Sequence, residues 1–353
     1  FQTILKWSKE IKFLGVKANA DNERDSLTAL SFGAEGIGLC RTEHMFFDDT
    51  RITDVRRFII ANDLAERELA LEKLLPHQLK DFTEIFNAMD GKSVCIRLLD
   101  PPLHEFLPQV DEVEEVAAKL DITPDRLHRA LETLHEFNPM LGHRGCRLAV
   151  SYPELSVMQT KAIIMAAINV TKAGKVVKPE IMVPLISTIK ELTYLTEFIK
   201  EAADALIAEA GIKLDYKVGT MVETPRAALI GEQVGANADF ISFGTNDLTQ
   251  MTFGFSRDDA GKFLKDYNAK NILDSDPFAA VDQTGVGQLV ELATKGVQKV
   301  NKDIIVGVCG EHGGEPTSIE FFHNTGLNYV SCSPYRIPVA IVAAAQAQLK
   351  NRR

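Results

Sequence analysis

The sequence predicts an α/β protein folded as a (β/α)8 barrel of the TIM type with helical insertions, and three observations lead there. Short β-branched or apolar runs alternate with segments of helical period along most of the chain, the pattern of a parallel sheet. Most of these runs stop abruptly at a charged or polar residue, as barrel strands do at the face that carries chemistry. The length, 353 residues without an internal repeat or a Gly/Ser linker, suits one barrel with insertions.

Phe13 to Ala20 is the first predicted strand, followed by Asp21 as a helix cap and a helix to Phe32 that Gly33 closes. Gly36 to Glu43 is the second, and a long charge-rich helical section runs from Asp54 to about Ala88. Ser93 to Asp100 is the third, broken by Pro101 and Pro102. Leu103 to about Phe137 holds no strand pattern and reads as an insertion whose acidic run, Asp111 to Glu115, is a solvated helical face. Asn138 to Ser151 fits either a short strand or a loop leading to a helix near Pro153.

Glu180 to Ile186 is again a strand, and Ile189, Leu192, Leu195, Ile199, Ala202 and Leu206 mark the next helix. Strand Tyr216 to Glu223 and helix Arg226 to Val234 precede strand Phe240 to Phe243. Asp303 to Val308 leads to a helix near Pro316 to Asn324, and Tyr329 to Ser333 comes before an alanine-rich terminal helix. These are nine candidates for eight places. The surplus one is either the Asn138 segment or Tyr329 to Ser333.

Composition narrows the function. The chain is 45% hydrophobic and 25% charged, with a formal net charge of -10. That argues for a soluble globular protein and against broad nucleic-acid or anionic-membrane binding. Five widely spaced cysteines without a C-x-x-C pair suggest neither a disulfide framework nor a structural zinc, and fit a cytoplasmic setting, an organelle being an alternative. No apolar run approaches the ~20 residues of a membrane span. An opening residue of Phe1 rather than Met suggests a processed chain or part of a longer one.

The strand exits supply Arg41, Arg97, Arg144 from the Asn138 segment, Glu223, Asn246 with Asp247, and Cys309. Guanidinium groups bind a phosphoryl group by paired hydrogen bonds, and two carboxylates with open positions between them suit Mg2+. A thiol opposite the ion can move a carbon-bound proton. Singly each residue has a plainer account: arginines at strand ends form ion pairs, Glu223 precedes a helix starting at Pro225, and Cys309 fits a small buried apolar site. Their convergence on one face carries the reading.

The run Asp239 to Arg257, DFISFGTNDLTQMTFGFSR, resembles a signature of the phosphoenolpyruvate-utilising enzymes. The stretches GLCRTEHMFF (38 to 47), RLLDPPLHEFLP (97 to 108), MLGHRGCRL (140 to 148) and CGEHGG (309 to 314) resemble the pyruvate phosphate dikinase branch of that family. Where the Enzyme I branch has Gly-Gly-Asp-Lys after its equivalent of Arg97, this chain has Pro-Pro-Leu-His.

The resemblance implies a C-terminal phosphoenolpyruvate/pyruvate-binding barrel, working with Mg2+ held by Glu223 and Asp247. Arg41, Arg97 and Arg144 would bind the phosphoryl group, assisted by Gly244, Thr245, Asn246 and Asp247, and Cys309 would be the acid/base. It also implies a phosphohistidine domain as partner and a homodimer formed through the barrel. The family's phosphohistidine motif surrounds none of the eight histidines here, and no G-x-x-x-x-G-K-[ST] run occurs, so the ATP site is expected elsewhere. Rival readings are a phosphoenolpyruvate synthase or Enzyme I barrel, a lyase or aldolase acting on a pyruvate enolate, and a non-catalytic oligomerisation module.

Overall fold

The computed structural model describes residues 2–353. Eight parallel strands close into a barrel in chain order: β1 (Gly15–Asn19), β2 (Gly36–Arg41), β3 (Ser93–Arg97), β4 (Lys178–Val183), β5 (Lys217–Val222), β6 (Phe240–Phe243), β7 (Ile305–Val308) and β8 (Tyr329–Cys332). The last strand pairs with the first, Gly15 opposite Tyr329 and Ala18 opposite Cys332. Tyr329 to Cys332 is therefore a genuine strand, and the surplus candidate is the Asn138 segment.

That segment forms a 3-10 turn, Pro139–Leu141, and a short helix, Cys146–Ser151. Its apolar residues, which look like a strand, serve instead to bury one side of that helix through Cys146, Leu148 and Ala149. Local chemistry corrects three other expectations. Asn22, not Asp21, caps the helix Glu23–Phe32, its side chain accepting from Asp25 N, because Asp21 is engaged with Arg41 N at the end of the neighbouring strand β2. The section from Asp54 is two helices, Ile52–Ile60 and Leu64–Ala88, since Asp63 caps the second by accepting from Glu66 N. The helix expected from Arg226 divides into Pro225–Leu229 and Gly231–Gly235. The insertion is as expected: Val113–Leu120 and Pro124–Leu134 bury Val113, Val116, Ala117, Leu120 and Leu127, while Asp111, Glu112, Glu114 and Glu115 stay exposed. No helix among the described residues is long and apolar enough to cross a membrane.

Outside β2, where the register shifts between Ile37 and Cys40, period-two alternation divides the strand residues between two cores. Ile37, Val94, Ile96, Ile181, Val183, Ile241, Val306 and Val330 face the surrounding helices, whereas Leu39, Cys95, Met182, Met221, Phe240 and Cys309 form a separate cluster in the barrel interior. Continuing the inward parity by two places from Cys95, Met221 and Gly307 reaches Arg97, Glu223 and Cys309. Arg97, Glu223 and Cys309 therefore lie at the carboxyl ends with their side chains on the inner face because of strand pitch, whereas Arg144 comes from the Asn138 segment and Asp247 from the helix after β6.

Deeper in the barrel, Lys17 Nζ lies 3.5 Å from Glu180 Oε2 and 4.1 Å from the centre of the Tyr329 ring. Both charged side chains are nearly buried, so removing one leaves the other uncompensated. Glu180→Ala should cost roughly 2 kcal/mol or more in urea unfolding, and the double replacement Lys17→Met/Glu180→Leu should recover most of it.

Candidate active site at the barrel mouth

The site is assembled around a buried chain of ion pairs. Arg97, at the end of β3, bonds Glu43 and reaches Asp100 Oδ2 at 2.9 Å. The same Asp100 oxygen accepts from Arg144 Nη2 at 2.6 Å, and Arg144 Nη1 donates to Asp247 Oδ1 at 3.0 Å. Arg97, Asp100 and Arg144 are each at most 7% exposed. The strand end, the Asn138 segment and the helix Thr245–Phe253 are thus locked to one another by charge.

The sequence reading anticipated Arg97, Arg144 and Asp247 but not Glu43 or Asp100 as their partners. A signal was present in the Arg97-Leu-Leu-Asp100 and Arg41-Thr-Glu43 spacings, which place a carboxylate just beyond each arginine-bearing strand. The pairing also changes the expected role of the arginines. Arg97 and Arg144 are held in position by carboxylates, although each keeps a buried Nε without a partner. Arg41, half-buried, has no ion-pair partner among the described residues; its backbone N donates to Asp21 Oδ1 at 2.6 Å.

Glu223, just past β5, is 1% exposed, and its Oε1 accepts from Leu185 N at 2.7 Å. Its Oε2 closely approaches Gly244, where a Cβ would come within 2.5 Å of it. Gly244 precedes the first turn of the helix Thr245–Phe253, so this carboxylate and the Thr245-Asn246-Asp247 turn share one corner. Thr245 Oγ1 and Asn246 Oδ1 are buried there without hydrogen-bond partners. At the end of the neighbouring strand β7, Cys309 N and Sγ both point to Phe243 O, at 3.1 and 3.6 Å, and the Cys309 carbonyl accepts from Asn19 Nδ2 at 3.1 Å. Ser331 Oγ in turn donates to Asn19 Oδ1 at 2.6 Å.

Electrostatics separates the carboxyl groups. Burial would raise Asp100, but Arg97 and Arg144 outweigh it and hold the group below the ordinary range. Burial raises Glu223 well above that range, reinforced by Asp247 and Asp100 against the pull of Arg97 and Arg144. Asp247 is also raised by burial, despite Arg144. Burial likewise raises the Cys309 thiol, with Ser242 and Arg41 opposing it.

A metal ion is tested against these facts. Glu223 and Asp247 are oxygen donors that resist ionisation while desolvated, which is the state a divalent cation relieves. The unpartnered Asn246 oxygen beside them adds a neutral donor. Carboxylate and amide oxygens are hard donors, and a hard ion that keeps water or substrate oxygens is the type that suits them.

A closed barrel with arginines, buried carboxylates and a thiol at its carboxyl mouth defines an anion-handling α/β enzyme site. Over residues 1–349 the chain matches the family described as PEP-utilising enzyme, PEP-binding domain, and it belongs to that family. It is 55% identical over 349 residues to "Pyruvate, phosphate dikinase, chloroplastic" of Flaveria bidentis, covering 98% of this chain and 37% of the relative. It is 51% identical over 354 residues to "Pyruvate, phosphate dikinase" of Clostridium symbiosum, covering 100% and 40%, and 53% identical over 354 residues to the protein of that name from Rhizobium meliloti, covering 100% and 39%. The chain spans about two fifths of the length of these relatives.

Two stability predictions follow from the charge arrangement. Asp100→Ala removes the carboxylate that Arg97 and Arg144 share, leaving Arg97 with Glu43 and Arg144 with Asp247, and should cost about 3 kcal/mol in chemical denaturation at neutral pH. Glu223 behaves oppositely: its raised folded value means that stability is greatest below the unfolded value, about 4.3, and is lost as pH rises through the folded value. Glu223→Gln should therefore be more stable than the parent at pH 7–8 by about 1–2 kcal/mol. That margin should shrink to near zero below pH 4, as read from thermal midpoints across pH.

Proposed function

We propose that this chain is the phosphoenolpyruvate/pyruvate-binding barrel of a pyruvate phosphate dikinase, a single domain over residues 1–353 in the C-terminal part of a longer chain. The half-reaction it carries moves the phosphoryl group between phosphoenolpyruvate and a histidine on a separate domain. In the whole enzyme this contributes to ATP + pyruvate + phosphate = AMP + phosphoenolpyruvate + diphosphate. The observation that carries the reading is the convergence of the Arg97–Asp100–Arg144–Asp247 chain with Glu223 and Cys309 at one barrel mouth, in a member of this family.

Arg41, with no carboxylate partner, is the guanidinium free to take the phosphoryl oxygens, and Arg97 and Arg144 present their remaining donors from fixed positions. The Thr245 N–H and the Asn246 side chain, at the first turn of their helix beside Gly244, bind substrate oxygens. Glu223 and Asp247 would hold Mg2+, which when bound supplies Lewis-acid stabilisation of an enolate oxygen. Toward pyruvate, the phosphorus–oxygen bond of phosphoenolpyruvate breaks, a phosphorus–nitrogen bond to the histidine forms, and Cys309 Sγ gives its proton to carbon 3. In reverse, the thiolate takes a methyl proton and the enolate oxygen attacks the phosphohistidine.

Burial keeps Cys309 protonated at neutral pH, which suits the donor role. The partners in this reading are the phosphohistidine and ATP-binding domains, with a second copy of the barrel in a homodimer; neither nucleic acid nor membrane takes part. The five unpaired cysteines accord with a cytoplasmic location.

Loss of the pyruvate methyl proton signal in heavy water, followed by NMR with Mg2+ present, tests the assignment. Exchange should fall at least ~100-fold in Cys309→Ala. Because exchange needs the thiolate and the thiol is raised, its rate should climb about tenfold per pH unit past the ordinary thiol value of about 8.5. Neither exchange nor oxalate binding by the parent chain would overturn the reading.

A further inference from the structure

Leu185 has φ 60, in the left-handed region, although it is a bulky and fully buried side chain. Such a residue costs of order 1–3 kcal/mol and persists only where its surroundings hold it. The other two non-glycine residues with positive φ, Asp121 and Asn271, are of types that tolerate it and follow helix ends. Leu185 instead lies two residues beyond β4, at the barrel mouth.

Its surroundings account for the conformation. The Leu185 N–H donates to Glu223 Oε1 at 2.7 Å, and its carbonyl accepts from Cys146 Sγ at 3.2 Å. Facing it is Gly145, itself at φ 57, where a Cβ would stand 2.8 Å from Leu185 Cβ and 3.0 Å from Asp100 Oδ1. Gly145 N donates to Asp100 O at 2.8 Å, and Cys146 N donates to Pro184 O at 3.2 Å. Two residues of positive φ thus pack against each other, one next to Arg144 and the other bonded to Glu223.

We propose that Leu185 is a positioning residue: its left-handed backbone aims an N–H at Glu223 Oε1 and so leaves Oε2 turned toward the cation position beside Asp247. The assignment rests on the cation-site reading above and deepens it. Without this tether a desolvated carboxylate close to Arg97 and Arg144 is drawn to the guanidinium groups, which compete with a cation for the same oxygens. Strain at Leu185 is the cost of keeping Glu223 out of that ion-pair chain.

Three replacements separate backbone direction from packing. Leu185→Met keeps volume and an unbranched Cβ, Leu185→Gly favours the left-handed region but empties the pocket, and Leu185→Val keeps most of the volume but resists that region. Thermal midpoints are measured on the metal-free chain, and Mn2+ affinity by electron paramagnetic resonance with oxalate at 25 °C. Leu185→Gly should have the lowest midpoint yet keep its Mn2+ dissociation constant within about threefold of the parent, as should Leu185→Met. Leu185→Val should lose less in midpoint but weaken Mn2+ at least ~tenfold.

Affinities that follow the midpoints across the three variants would overturn the assignment while leaving the cation site standing. If Leu185→Val does not fold, the glycine variant decides: a loss of ~tenfold or more there overturns the proposal, and retained affinity supports it. No Mn2+ binding by the parent chain would overturn the cation-site reading and this assignment with it.

Discussion

The mouth of this barrel depends on Asp100. One oxygen of this buried carboxylate receives both Arg97 and Arg144, and Arg144 passes the connection on to Asp247. Three separate parts of the chain, the end of β3, the Asn138 segment and the helix that follows β6, are thereby fixed relative to one another. Ion pairs removed from water gain little net stability, because desolvating the charges offsets most of their attraction. Their effect is geometric, since each partner has one arrangement in which no charge is left uncompensated.

That constraint divides the site into groups already satisfied and groups left waiting. Asp100 ionises readily because two guanidinium groups surround it, while Glu223 and Asp247, in the same small volume, resist ionisation. The supply of positive charge is used up before it reaches Glu223, and a bound cation would complete it. Arg41 stands outside the ion-pair chain.

Glycine and backbone conformation do as much here as charged side chains. Glu223 can approach the helix after β6 only because Gly244 has no Cβ, and Leu185 can face the Asn138 segment only because Gly145 has none. The half-buried Asn19 side chain, which donates to the Cys309 carbonyl and accepts from the buried Ser331 hydroxyl, extends the same logic to the thiol side. Stable placement of reactive groups follows from what surrounds them more than from their own flexibility.

Much of this was legible in the sequence. Alternation of apolar runs with helical periods identified the strands, and strand pitch put Arg97, Glu223 and Cys309 on the inner face, because side-chain direction in a strand is set by parity. The motif around Gly244 to Asp247 pointed to this candidate site, since a hydrophobic strand ending in polar residues is a local pattern. The sequence could not decide whether Asn138 to Ser151 or Tyr329 to Ser333 closed the sheet: both are short apolar runs, and only pairing with β1 distinguishes a strand from a buried helix face. Nor could it assign Asp100 and Glu43 to the arginines or show the left-handed turn at Leu185, which depend on contacts between residues far apart in the chain. Local periodicity settled which residues of most strands face inward; tertiary packing alone decided which charges meet there and which stay outside the ion-pair chain.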